Sequence, residues 1–285
     1  MRRRLRAGVP GYVLIAPAVF VTVVFFLVPM VVSGYWSLTK YNGIRPPQFI
    51  GLDNYLALLS DDIFLRSLQN TVFFVVFGMA IGPLLGLATA LLLNNQLRLR
   101  GFLRSAYFLP TMVSLVAVAT VWKFLYQDDG LINAVLGFFG LPGHSWLLDP
   151  TTALPAVIVT SIWQGFGFET VVFLAALQAI PRVYYEAARV DGAGPWALFR
   201  HVTLPGLRPT IVFVYIIGII GSFQTYDQMF VMTQGGPLNS TRTIVYDLID
   251  EFTRLHLGYA SAIAYVLLAI LAVLSFLQLR WFGER

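Results

Sequence analysis

Polar side chains recur inside two segments of this chain that are otherwise apolar enough to cross a membrane. Ser161, Gln164, Gly165, Phe168 and Glu169 fall at steps of three to five, which makes one broad stripe on a helix. Gly221, Gln224, Thr225 and Gln228 do the same on the next apolar segment. Amides, hydroxyls and an aromatic face suit a polyhydroxylated solute, which needs many hydrogen bonds and a stacking platform. Polar stripes facing water also suit alternating access. The competing reading is packing: Gln and Ser pair between helices, each pair worth about 0.6–2 kcal/mol. An acid near mid-membrane, as Glu169 is, marks a functional candidate, with an ion pair to a partner subunit as the alternative. Asp227 lies nearer one end and reads as a cap or interface group. His144, His201 and His256 do not cluster, so no metal site is expected.

A second block, residues 180–208, is polar and rich in turn signals. Pro181 ends an apolar run, and Val183 to Arg189 are good helix formers. Asp191-Gly192 reads as a turn. Pro195 suits the first position of a second short helix, expected over about 195–202, with Pro205 and Pro209 stopping it. A helix-turn-helix elbow of this kind offers a rigid knob to a cleft on another protein. Glu186 and the neighbouring Arg residues supply charge-assisted contacts. Gly192 becomes the sensitive position if its φ is positive.

The elements that position these blocks follow from composition. The chain has 285 residues, 58% hydrophobic and only 12% charged. Soluble domains average about 25% charged residues. A spanning helix needs about 20 mostly apolar residues. Six segments qualify, at about 11–36, 69–93, 105–122, 153–177, 209–230 and 257–279. The expectation is an all-α membrane protein, one domain over 1–285 with six transmembrane helices, since lipid-exposed backbone must satisfy itself within each helix. Pro17 and Pro29 are expected to kink or end the first span. Glycines 78, 82 and 86 permit close helix contact along the second. Trp146 reads as an interface anchor, and residues 242–256 as an amphipathic external helix.

Charge then orients the spans. With a cytoplasmic N-terminus, 13 of the 19 Lys and Arg residues fall on inner segments and six on outer ones. The inner set includes Arg2, Arg3, Arg4, Arg6, Arg98, Arg100, Arg104, Arg280 and Arg285. The positive-inside rule therefore puts both termini and the 180–208 block in the cytoplasm. The net charge of +5 is spread this way and is no signal for nucleic acid. The apolar run after Arg6 exceeds a signal-peptide core, so it reads as an uncleaved span. No cysteine is present, which excludes disulfides and thiol catalysis.

Glu186-Ala187-Ala188, three residues, Gly192, nine residues, then Val202-Thr203-Leu204-Pro205 is a specific spacing. It resembles the loop by which membrane subunits of bacterial or archaeal ABC importers engage their ATPase. Gly51-Leu52-Asp53-Asn54-Tyr55, Phe108-Leu109-Pro110, Thr233-Gln234-Gly235-Gly236-Pro237 and Gly258-Tyr259-Ala260-Ser261-Ala262 extend the likeness to the carbohydrate-uptake permeases of maltose, glycerol-phosphate and oligosaccharide type. Val202 stands where Ile is common, a conservative departure. The resemblance implies a type I ABC importer permease core in the cytoplasmic membrane. It also implies a second homologous permease subunit, two copies of an ABC ATPase and an extracytoplasmic solute-binding protein. ATP and Mg would be used by the partner, for this chain carries no G-x-x-x-x-G-K-[ST] phosphate loop. It is then no enzyme itself. The runner-up is a secondary transporter or channel for a polar solute, which inverted repeats or interrupted helices would favour. An intramembrane enzyme would need a paired nucleophile and base, or clustered ligands, beside Glu169.

Overall fold

The computed structural model describes residue 12, residues 14–95 and residues 100–282. Arg2, Arg3, Arg4, Arg6, Arg98 and Arg285 lie outside the described residues, and so do the side chains of Arg100 and Arg104. The chain folds into two compact units, residues 1–61 with 248–268 and residues 62–247 with 269–285.

In the first unit, α1 (Leu14–Ser37) exposes Phe20, Phe25 and Phe26, as a lipid-facing helix does. The helix runs through both of its prolines, so neither marks an end. Pro29 has no N–H for the preceding turn, and a π turn at Val23–Leu27 absorbs that register. A small hairpin of β1 (Thr39–Lys40) and β2 (Gln48–Phe49) follows, then α2 (Asp53–Ser60). Asn54 accounts for the Gly51–Tyr55 motif. Its Nδ2 donates to the carbonyls of Ser37 (2.8 Å) and Thr39 (3.0 Å), while the Tyr55 hydroxyl donates to Ser37 Oγ at 2.8 Å.

The second unit is built on α3 (Asp62–Leu93) and α7 (Ala153–Ala179), which pack along each other. Gly86 makes that approach possible, because a Cβ there would lie 2.7 Å from Glu169 Cβ. Gly78 does not serve contact: nothing lies within 4 Å of its missing Cβ. Among the described residues, two clusters of buried apolar side chains lie here. One gathers Phe74, Val157, Met229 and Met232, the other Ala90, Phe173, Leu177, Leu207 and Val214.

Two expected spans are interrupted. The third is a pair, α4 (Arg100–Met112) and α5 (Leu115–Leu125), bent by 105° at the break. Counted as one span, the pair brings five membrane-length apolar helices among the described residues to six. Hydropathy places the fifth at 209–230. Its helix instead begins in the elbow, continues as α10 (Leu204–Phe223) and breaks at 224–226 before α11 (Asp227–Met232). Pro205 and Pro209 therefore do not stop the helix. Pro205 comes directly after a π turn at Phe199–Thr203, whose shifted register accommodates its missing N–H. Backbone freed by the breaks finds partners: Gln164 Nε2 donates to Val113 O (3.4 Å), and Thr243 Oγ1 donates to Thr225 O (2.9 Å).

The segment before α7 is held by Asn133 of α6 (Leu131–Phe138). Its Oδ1 accepts from the His144 N–H (3.1 Å) and from Trp146 Nε1 (2.9 Å). Trp146 is thus tied to a protein partner through its indole N–H. Beside it, the backbone N–H and hydroxyl of Thr151 hold the Asp149 carboxyl below the usual carboxylate range. Residues 242–256 form α12 (Ile244–Thr253), preceded by a buried ion pair in which Arg242 Nη2 donates to Asp247 Oδ1 at 2.6 Å. Last comes α13 (Leu257–Phe282).

Candidate functional site

The second unit contains a cavity of about 440 Å³ that touches both apolar clusters, through Phe74 and Val214. All eight residues expected on a solute route line it: Ser161, Gln164, Gly165, Phe168 and Glu169 from α7, and Gln224, Thr225 and Gln228 around the α10–α11 break. The break explains the second group. An unbroken helix would carry Gln224 and Gln228 on one stripe. Here the chain turns at Thr225 and Tyr226, and both amides still reach the same space.

Packing and lining are not alternatives in this cavity. Gln228 is buried and donates from Nε2 to Gln164 Oε1 at 3.2 Å. Thr111 Oγ1 donates to Gln164 O at 2.9 Å, pinning α4 to α7 beside the bend. Glu169 is 9% exposed, and its Oε2 has no hydrogen-bond partner. Gly78, Gly165 and Gly221 have nothing within 4 Å of their missing Cβ atoms, so these positions hold the cavity open. Thr111, Ser222, Tyr226 and Asp227 also line it and were not among the expected residues. Asp227 opens α11, and only the helix break, invisible to hydropathy, turns it inward. Among the described residues, no three His, Cys, Asp or Glu side chains gather as a metal would require.

The elbow is a separate feature of the same unit. α8 (Arg182–Val190) ends in a Schellman cap. The Gly192 N–H donates to Arg189 O at 3.0 Å and the Ala193 N–H to Ala188 O at 2.9 Å, with Gly192 at φ +79°. Gly194 then leads into α9 (Pro195–Leu198), which merges with the π turn and α10. Tyr185 and Thr203 hydroxyls meet at 3.0 Å and tie α8 to that turn. The nine-residue spacing has a geometric sense, because Ala187 and Pro205 line one groove beside Ile180. Glu186 is exposed and shares a second groove with Arg182 and Arg189. Asp191 and Leu204 are exposed, Ala188 half-buried. Val190 is 88% and Trp196 71% exposed, an apolar tip flanked by charge.

The elbow is joined rigidly to the helices that wall the cavity. A Cβ on Gly206 would strike Ile180 Cδ1 at 2.8 Å, so the start of α10 lies against the end of α7. The next residue, Leu207, is fully buried among Phe173, Leu174 and Leu177. A displacement of the elbow must move the α7–α10 pair, because a packed interior does not yield locally.

The chain is similar to known proteins along nearly its whole length. Over 97% of its length and 95% of the other's, the chain is 38% identical to the lactose transport system permease LacF of Rhizobium radiobacter. It is 35% identical to the trehalose/maltose transport system permease MalF of Thermococcus litoralis, covering 93% and 90% of the two chains. The fold matches a chain of a bacterial alginate ABC transporter solved with its alginate-bound periplasmic protein. That match has a TM-score of 0.86 and 23% identity, and covers 98% and 95% of the chains. Residues 82–285 match the family of binding-protein-dependent transport system inner membrane components, and the chain belongs to that family.

Proposed function

We propose that this permease subunit passes a sugar or related polyhydroxylated solute through the α7–α10 cavity, driven by an ATPase docked on the elbow. The observation that carries the reading is the sharing of helices. α7 and α10 wall the cavity at one level and bear the elbow at their joined ends. Relatives named for lactose and for trehalose/maltose transport support the solute class. In this reading the elbow and both termini are cytoplasmic, as the 13-to-6 charge bias favours. A second, homologous permease completes the cavity wall, two ATPase subunits bind Mg-ATP, and a binding protein delivers solute from the outside. The broken helices line protein and cavity, where irregular backbone is tolerated, and do not require an ion-driven mechanism.

The chain has no cysteine, so a single thiol reports cleanly. Val190→Cys at the exposed tip should cross-link to an ABC ATPase in native membranes. Tyr12→Cys, on the described start of the first span, should not. Cross-linking to an ATPase from neither position would refute the docking.

A further inference from the structure

The charge of the cavity restricts what can pass. Glu169 enters it from α7 and Asp227 from the first turn of α11. None of the described residues lining it is Lys, Arg or His. Its remaining polar groups are amides and hydroxyls, from Gln164, Gln224, Gln228, Ser161, Ser222 and Thr225. A sugar carboxylate or phosphate entering this space would give up its hydration and find no cation to pair with. It would also meet two acidic side chains. A neutral saccharide loses only hydroxyl–water bonds, which amides and hydroxyls replace. Glu169 lines the cavity and its Oε2 has no hydrogen-bond donor, so its carboxylate is an acceptor that a sugar hydroxyl would pair with once the side chain turns Oε2 out from the wall.

We infer that this cavity selects uncharged saccharides or polyols, with a solute hydroxyl donating to Glu169, and turns away anionic sugars such as uronates. The inference rests on the cavity being the solute route. It narrows the solute by charge, a property that the shared fold leaves open.

Ser222→Cys and, independently, Ser161→Cys each place one thiol in the cavity of a chain that otherwise has none. Alkylation by an uncharged maleimide is followed in native membranes holding the full importer. The probes are lactose, trehalose and maltose, against digalacturonate as an acidic disaccharide. At least one neutral sugar should slow alkylation severalfold. Digalacturonate should need at least ~tenfold more for the same protection, a modest outcome for like charges brought together. Adding Glu169→Gln or Asp227→Asn should narrow that gap severalfold. Equal protection by digalacturonate in the parent overturns the inference alone, and would be the result of a partner-subunit cation seated on Glu169. An unchanged gap in both acid variants overturns it as well. Protection by no neutral sugar at either thiol overturns the solute-route reading and the inference with it.

Discussion

Replacing Gly192 isolates a conformational cost from every other effect. Its φ is +79°, and nothing lies within 4 Å of where a Cβ would stand. An added side chain therefore meets no neighbour, and its whole penalty is the left-handed backbone. For Ala that is about 1–2 kcal/mol, a five- to thirtyfold shift of the cap toward an opened form. Val, branched at Cβ, should cost more, whereas Asn tolerates this region and should cost least. Gly194 is a matched control two residues away, equally open but at φ −74°. The opened cap would release the Schellman bonds and misplace Val190 and Trp196 relative to each other. In proteoliposomes with the complete importer, ATP-driven sugar uptake per ATP hydrolysed should fall in the order Asn, Ala, Val. Gly194→Ala should match the parent. Equal uptake by Gly192→Ala and Gly194→Ala, or no ordering in the series, would refute the role of the cap.

Further outcomes follow from the cavity and its supports. Gln164→Leu and Gln228→Leu each remove the 3.2 Å amide bond, which costs stability only about 0.6–2 kcal/mol. Uptake should nevertheless fall at least ~tenfold, or the amides are packing alone. Gly221→Leu projects into open space within a helix and should raise thermal stability by about 0.5–1 kcal/mol through helix propensity while blocking uptake. Unimpaired uptake would show that solute does not pass there. Arg242→Met deprives the buried Asp247 carboxylate of this cation and should cost about 3–5 kcal/mol, seen as a lost or depressed thermal transition in detergent. Arg242→Met with Asp247→Leu should recover much of that loss.

The sequence made the elbow nearly complete to view. Asp191-Gly192 announced the turn, and Pro195 does begin the second helix. The polar stripes were legible for the same reason: amides and an acid are conspicuous among aliphatic residues, and all eight named positions reach one cavity. The interruptions were not. Val113-Ser114 and Gln224-Thr225-Tyr226 contain no glycine or proline at the break, and tertiary donors such as Gln164 and Thr243 make the bends tolerable. Asp227, read as a cap or interface group, lines the cavity as a consequence. The opposite error occurred at Pro205 and Pro209, strong stop signals that the helix nonetheless runs through. The partner of the Trp146 indole N–H, Asn133, was not legible either, for it lies 13 residues away in sequence.

The central claim is that the elbow moves the cavity through the α7–α10 joint. Alkylation of a Ser222→Cys thiol, measured in the reconstituted importer with and without Mg-ATP, tests it most directly. ATP should change that rate severalfold with Gly192 in place, and the change should vanish in Gly192→Val while ATP is still hydrolysed. An ATP-dependent change that persists in Gly192→Val would contradict the claim, for the cavity would then be moved by some route other than the elbow.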